Sequence, residues 1–201
     1  RSGTDNDVRS RDLLNRRARI NPGKAGVADL PGASSAFVVT AVTGATGFVG
    51  HACVATLLGA GEMVACTVRA HSNTHALRRL TPAATILHGP LHDRDALASA
   101  FSGCGEVVNC AARAIDWGSS AEFQRDNVAG TINVIEAAAR AGVSHVVHLS
   151  TANAGGYGYR NMDESIRGIR ASSSYSRSKA AAEHAARVCA ARSGVGLTIL
   201  R

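Results

Sequence analysis

From Phe37 onward the chain alternates short runs of β-branched and apolar residues with longer alanine-rich stretches bounded by glycine. F-V-V-T-A-V-T (37–43), M-V-A-C-T-V-R (63–69), A-T-I-L-H (84–88), E-V-V-N-C (106–110), H-V-V-H-L-S (145–150) and G-L-T-I-L-R (196–201) have strand length. Their near-continuous hydrophobicity is that of strands covered on both faces. Between them, residues 51–61, 94–101, 120–140 and 174–192 have helical composition, and Gly61, Gly103, Gly142 and Gly194 stand where helices stop. The alternation predicts an α/β fold, a doubly wound parallel sheet (Rossmann fold) with strand order 3-2-1-4-5-6. Ligands of such sheets bind at the carboxyl ends of the strands, where strands 1 and 4 diverge.

Composition narrows the options. The 201 residues suit one domain with a full core, and hydrophobic content of 45% with mean hydropathy near zero reads as a soluble, globular chain. No apolar run approaches the ~20 residues of a membrane span, so no membrane span is expected. The net charge of +7 is uneven: residues 1–36 hold seven Lys/Arg against four Asp, and the remainder fifteen against eleven. No Lys/Arg stripe interleaves with aromatics, so nucleic acid is not an expected partner. A mildly basic body suits anionic small molecules.

Five scattered cysteines (53, 66, 104, 110, 189) contain no C-x-x-C pair and point to neither a disulfide framework nor a metal site. They read as small apolar residues of a reducing cytoplasm. His71/His75 and His88/His92 share i,i+4 spacing without a third ligand and read as surface histidines. Residues 1–36 carry the Arg-rich D-L-L-N-R-R-A-R-I but no secretory h-region, and are expected to form a disordered basic extension. The chain starts at Arg1 and ends within a predicted strand, which reads as a piece of a longer protein.

The stretch V-T-G-A-T-G-F-V-G (42–50) places Gly44, Gly47 and Gly50 at intervals of three, directly after strand 1 and before a helix. A dinucleotide site needs a tight turn, close approach of backbone to pyrophosphate and close helix–strand packing, and these three glycines can supply them in order. Free N–H groups around Phe48 and Val49 would then meet the phosphates at the helix N-terminus. Strand 2 ends at Arg69, twenty-five residues after Gly44. A carboxylate there would take the ribose hydroxyls of NAD, whereas an arginine can pair with the 2′-phosphate of NADP. NADP is therefore the expected cofactor, in preference to NAD. Residues 37–201 form the expected dinucleotide-binding domain.

Tyr175 and Lys179, in S-S-S-Y-S-R-S-K, are i and i+4 at the start of a helix and share a face. A free phenol with a pKa near ~10 is a poor base at neutral pH. A neighbouring ammonium stabilises the phenolate and makes it a usable acid or base. At the end of strand 5, Ser150 and Thr151 each offer a hydroxyl that could polarise a substrate oxygen.

With T-G-A-T-G-F-V-G (43–50), N-C-A-A (109–112), D-N-V-A-G-T-I-N-V-I-E-A-A (126–138), A-G-V-S-H-V-V-H-L-S-T (141–151) and Y-S-R-S-K (175–179), the sequence resembles the extended short-chain dehydrogenase/reductase family. That family includes NAD-dependent epimerases/dehydratases and 3β-hydroxysteroid dehydrogenases. The resemblance covers residues 37–201. It implies that Thr151 is the catalytic hydroxyl, with Ser150 the alternative if the register slips. Tyr175 is then the acid/base, and Lys179 lowers its pKa and holds the ribose. Asn127 would lie near the cofactor, with Ala111 and Ala112 beside the nicotinamide half. Hydride would pass between the nicotinamide and an alcohol or ketone, steroid-like or a sugar nucleotide. The family's substrate-binding subdomain follows strand 6, beyond Arg201.

Three positions depart from the pattern. Gly89-Pro90-Leu91 stands where Gly-Asp-Leu is expected, so the carboxylate that meets the adenine is missing, and Asp93 lies too far along to replace it. Asn109 replaces a histidine, and Thr151 a serine. A-I-D-W-G-S-S-A-E-F (114–123) resembles the hydroxysteroid-dehydrogenase branch, where Trp117 would line an apolar pocket or anchor its loop. Two further readings stand beside the oxidoreductase: a nucleotide-sugar epimerase, and an NADP-binding sensor without turnover, for which Thr151, Tyr175 and Lys179 would have no use. A small-molecule substrate is the expected partner, and a second copy of the chain a candidate one.

Overall fold

The computed structural model describes residues 38–80, 84–115, 117–155, 163, 165 and 173–201. The basic segment 1–36 lies outside them. Six parallel strands form one sheet: β1 (Val39–Thr43), β2 (Met63–Val68), β3 (Ala84–His88), β4 (Glu106–Asn109), β5 (His145–Leu149) and β6 (Gly196–Leu200). Their order is β3-β2-β1-β4-β5-β6, as the alternating pattern predicts. In-register pairs such as Val42↔Cys66, Val42↔Val108 and Val108↔Val147 bring the carboxyl ends of the strands to one edge.

Every residue of β1 is buried, because alternate side chains enter two different cores. Val39 and Ala41 join Leu97, Phe101, Val107, Ile135, Val146 and Ala186 on one face. That face is covered by α3 (Arg94–Phe101), α5 (Gly130–Arg140) and α6 (Ser174–Ser193). Val42 joins Val54, Val64, Cys66 and Leu77 on the other, beneath α1 (Phe48–Gly59) and α2 (His75–Leu80). Among the described residues, no helix is long and apolar enough to cross a membrane.

Three elements differ from the expected pattern. The helix α1 begins at Phe48, straight out of the glycine turn, rather than at His51. The short α2 carries no apolar period to announce it and is anchored by one residue, Leu77, which is 1% exposed. The helix expected over 120–140 has three parts: α4 (Ser120–Phe123), a π-helical turn (Gln124–Ala129) and α5. The wide turn carries Asn127, whose side chain has buried partners outside the helix. Single π-turns inside α-helices occur frequently at functional sites.

Candidate active site

At the carboxyl end of β1, Gly44 adopts the left-handed conformation (φ 65°), and a Cβ there would lie 2.8 Å from the backbone of Ala111. A Cβ on Gly50 would overlap the carbonyl oxygen of Gly44. Gly47 closes the turn, its N–H donating to the Gly44 carbonyl (2.9 Å), and caps α1 without any side-chain hydrogen bond. The first N–H groups of α1 are thus left to whatever lies in front of the helix, where Phe48 is 94% and Val49 47% exposed. Thr43 fixes the neighbouring strand end: its hydroxyl donates to Asn109 Oδ1 (2.6 Å) and accepts from the Ala111 N–H (3.2 Å).

These elements open on a cleft of about 410 Å³ that Gly44, Gly47, Arg69, Gly89, Ala111 and Ala112 help to line. Arg69 is exposed at its rim; its backbone N–H donates to Ser72 Oγ (3.1 Å), and among the described residues no carboxylate pairs with its guanidinium. Asp93 does not reach the cleft, because its carboxylate caps α3 by accepting from the Ala96 N–H (2.9 Å). The acid that does line the cleft is Asp126, held by Arg125 (2.8 Å) and Arg113 (3.4 Å). Burial raises its carboxyl, but these two guanidiniums outweigh that effect and hold it below the ordinary carboxylate range. Trp117 is 72% exposed and is not among the residues that line this cleft.

Asn127 is 2% exposed and its amide is fully engaged. Its Oδ1 accepts from the Arg113 N–H (2.6 Å), while its Nδ2 donates to the Arg113 carbonyl (3.2 Å) and to Ser178 Oγ (2.8 Å). Ser178 in turn donates to the Tyr175 carbonyl (2.7 Å). Asn127 therefore pins the strand-4 loop, which carries Ala111 and Ala112, to the first turn of α6. It does not face the cleft.

The helix α6 starts at its cap Ser173, which accepts from the Ser176 N–H (3.0 Å). In its first turn, the Tyr175 phenol sits where the Thr151 hydroxyl influences it. Burial pushes this phenol above its ordinary value, with Thr151 pulling the other way. Lys179, 2% exposed, points its ammonium at the Leu149 carbonyl (2.6 Å). Burial presses it down to about 8, against the opposing charge of Glu183 and a smaller contribution from Cys110. Thr151, Tyr175 and Lys179 are thus brought together, but none of them lines the cleft. The link is Cys110, which lines the cleft and lies within the field of the Lys179 charge.

Beneath this group runs a buried polar seam that local pattern did not disclose. Asn109 Nδ2 lies 3.1 Å from His148 Nδ1. Because Asn109 Oδ1 already accepts from Thr43, the amide donates, Nδ1 accepts, and the ring proton sits on Nε2, which has no partner. Burial, followed by the charge of Lys179, presses His148 down to about 3 and keeps it neutral. Ser150, the alternative hydroxyl, is turned away from Tyr175 and donates to Glu183 Oε1 (2.7 Å). The only sequence sign of Glu183 is a lone acid four residues after Lys179 in an alanine-rich helix.

The model of the NAD dependent epimerase/dehydratase family matches residues 40–201. The sterol demethylase protein B of Methylococcus capsulatus is 35% identical over 167 residues, covering 81% of this chain and 50% of that protein. A 3 beta-hydroxysteroid dehydrogenase/Delta 5→4-isomerase of Mycobacterium tuberculosis is 33% identical over 134 residues, covering 62% and 35%. Among solved structures, the dTDP-glucose 4,6-dehydratase DesIV of Streptomyces venezuelae, with NAD and TYD bound, superposes with a TM-score of 0.73 at 27% identity. It covers 81% of this chain and 54% of that one. The chain spans half the length or less of these curated relatives.

Proposed function

Because the chain belongs to the NAD dependent epimerase/dehydratase family, we propose that it is the nucleotide-binding and catalytic part of an NADP-dependent oxidoreductase acting on an alcohol or ketone. The observation that carries this reading is the grouping of the Tyr175 phenol with the Thr151 hydroxyl that influences it, and with the Lys179 ammonium one helical turn away. That grouping lies beside a cleft whose glycine turn leaves α1 uncapped. An uncapped helix N-terminus with three glycines fits a pyrophosphate, and the exposed Arg69 at the rim supplies a cation for a 2′-phosphate.

The nicotinamide, when bound, supplies or accepts the hydride. The chain's own residues do the rest. Thr151 donates to the substrate oxygen and orients it. Tyr175 gives a proton to that oxygen in reduction and takes it in oxidation, at Oη. Lys179 lowers the energy of the phenolate so that the transfer runs near neutral pH. Ala111 and Ala112, small residues that line the cleft just beyond β4, would leave room for the ring. The sterol demethylase protein and the hydroxysteroid dehydrogenase support an apolar, steroid-like substrate. The dehydratase with bound TYD supports a sugar nucleotide as the second reading.

Equilibrium titration of the chain with NADPH and NADH tests the cofactor. NADPH is expected to bind about tenfold more tightly. Arg69→Ala should remove that margin without weakening NADH, and tighter binding of NADH by the unmodified chain would overturn the reading. For turnover, 3-ketosteroids and sugar nucleotides are assayed with the preferred cofactor. Tyr175→Phe is expected to lower the rate at least ~100-fold with cofactor affinity retained; full turnover in that variant would sink the mechanism.

A further inference from the structure

Lys179 and Glu183 occupy successive turns of α6, each 2% exposed. Their partners are adjacent residues at the end of β5: the Leu149 carbonyl accepts from Lys179 (2.6 Å), and Ser150 donates to Glu183 (2.7 Å). Arg201, just beyond β6, grips both carboxylate oxygens of Glu183 (2.9 and 2.8 Å), and Arg187 adds a longer contact (3.3 Å). The Ser150 N–H also donates to the Leu200 carbonyl (2.6 Å). One buried carboxylate therefore ties α6 to the ends of two strands, immediately before Thr151.

We propose that Glu183 is a positioning residue of this site: it keeps the buried Lys179 a cation and fixes the strand end from which Thr151 projects. The inference rests on the proposed role of Lys179. Both Glu183 oxygens are taken by Ser150, Arg187 and Arg201, so the carboxylate acts on Lys179 through space rather than by contact. The ionisable groups whose charges meet that of Lys179 are Glu183 from α6, Cys110 from the end of β4 and His148 from β5, with Tyr175 one turn earlier on the same helix; Arg201 and Arg187 act behind Glu183.

Among these groups Glu183 is the anion. Cys110 is pushed up to about 12 by burial, His148 is neutral, and the Tyr175 phenol is pushed up as well. Burial would raise Glu183 too, but Arg201, Ser150 and Arg187 outweigh it and hold its carboxyl at about 2. Without that fixed negative charge, an ammonium so far from water favours its neutral form, and a neutral amine no longer stabilises a phenolate at Tyr175.

The chain contains only two lysines, Lys24 and Lys179. Labelling with ε-¹³C-lysine gives two NMR signals, and Lys24→Arg identifies them. The Lys179 signal is expected to titrate near 8. Glu183→Gln should lower its midpoint by about one unit or more, a tenfold change in the protonation equilibrium. Glu183→Asp, which keeps the charge, should hold the midpoint within about half a unit. A Glu183→Gln midpoint unmoved to within about 0.3 unit would overturn the proposal.

If Glu183→Gln does not fold, Arg201→Met carries the test. Removing that cation leaves the carboxylate less neutralised, so the Lys179 midpoint should rise; an unchanged or lower value overturns the proposal. The titration contains neither cofactor nor substrate, so its failure is separable from failure of the proposed activity, which the nucleotide titrations address.

Discussion

The two ends of the candidate site are built by opposite means. Around Gly44, Gly47 and Gly50 the working groups are backbone N–H donors, and the neighbouring side chains stand in the open, Phe48 at 94% exposure. Around β5 and α6 the working groups are side chains, and they are sealed: His148, Lys179 and Glu183 are between 0 and 2% exposed. A backbone cradle needs room, and side chains would close it. A charged side-chain cluster needs mutual satisfaction, since each buried polar group left without a partner costs about 1–3 kcal/mol. The glycine end should therefore fail by added bulk, and the β5–α6 end by lost partners.

The largest expected effect is at the glycine end. In Gly50→Ala the new methyl would overlap the Gly44 carbonyl oxygen and lie 2.7 Å from its carbon, so the turn itself must move. A loss of about 3 kcal/mol or more is expected, together with loss of NADPH binding. Urea unfolding and nucleotide titration check both. A variant with unchanged stability and affinity would show that backbone crowding does not limit this end. Next comes Asn127→Leu, which fills the space but leaves the Arg113 N–H and carbonyl without their partner. It should lower stability by about 2–3 kcal/mol in the same unfolding experiment. A loss under about 0.5 kcal/mol would show that water replaces the amide, and that this region is less sealed than its burial indicates.

This difference also explains how much could be foreseen. The six strands and their order follow from short apolar runs separated by helices, because burial on both faces leaves the central strands mostly apolar, β1 being buried at every residue. The glycine turn was legible because a backbone constraint leaves a local trace: only certain residues tolerate φ 65° at Gly44. Tyr175 and Lys179 were legible because one helix sets their separation. Glu183 was not, because its meaning depends on Ser150 and Arg201, which the sheet brings to it from 33 and 18 residues away. Asn109 and His148 are 39 residues apart and meet only through the β4–β5 pairing. The partner of the π-helical turn was hidden for the same reason, since Asn127 within it donates to Ser178, 51 residues on.

A smaller effect tests the sealed β5–α6 end by pH. His148 has a folded value of about 3 against an ordinary 6.5, so between these values the unfolded chain binds the proton and the folded one does not. Its contribution is fully present above pH 6.5 and is lost as pH falls toward 3. From pH 7 to 5 the unfolding free energy should drop by about 2 kcal/mol. Glu183, held at about 2, loses its contribution only below its ordinary 4.5, so it stays ionised throughout that window. His148→Leu should flatten the slope between pH 7 and 5, and a slope unchanged in that variant would place the buried proton acceptor elsewhere.

The smallest effect compares the two helix starts directly. The first N–H groups of α1 have no side-chain cap, whereas at α6 Ser173 accepts from the Ser176 N–H (3.0 Å) and its hydroxyl pairs with that of Ser176 (2.8 Å). One helix end is open for an anion, and the other is already satisfied by its own chain. Ser173→Ala removes the cap from the helix that carries Tyr175 and Lys179, and should lower stability by about 1 kcal/mol. The hydroxyl removed is at an exposed residue, so the loss stays that of a single helix cap although the Ser176 N–H it served is buried. NADPH affinity should be unchanged, because the phosphates are expected at α1 and not at α6. A several-fold loss of affinity in Ser173→Ala, measured beside its unfolding curve, would mean that the α6 N-terminus also serves the ligand and that the two ends are not built for separate tasks.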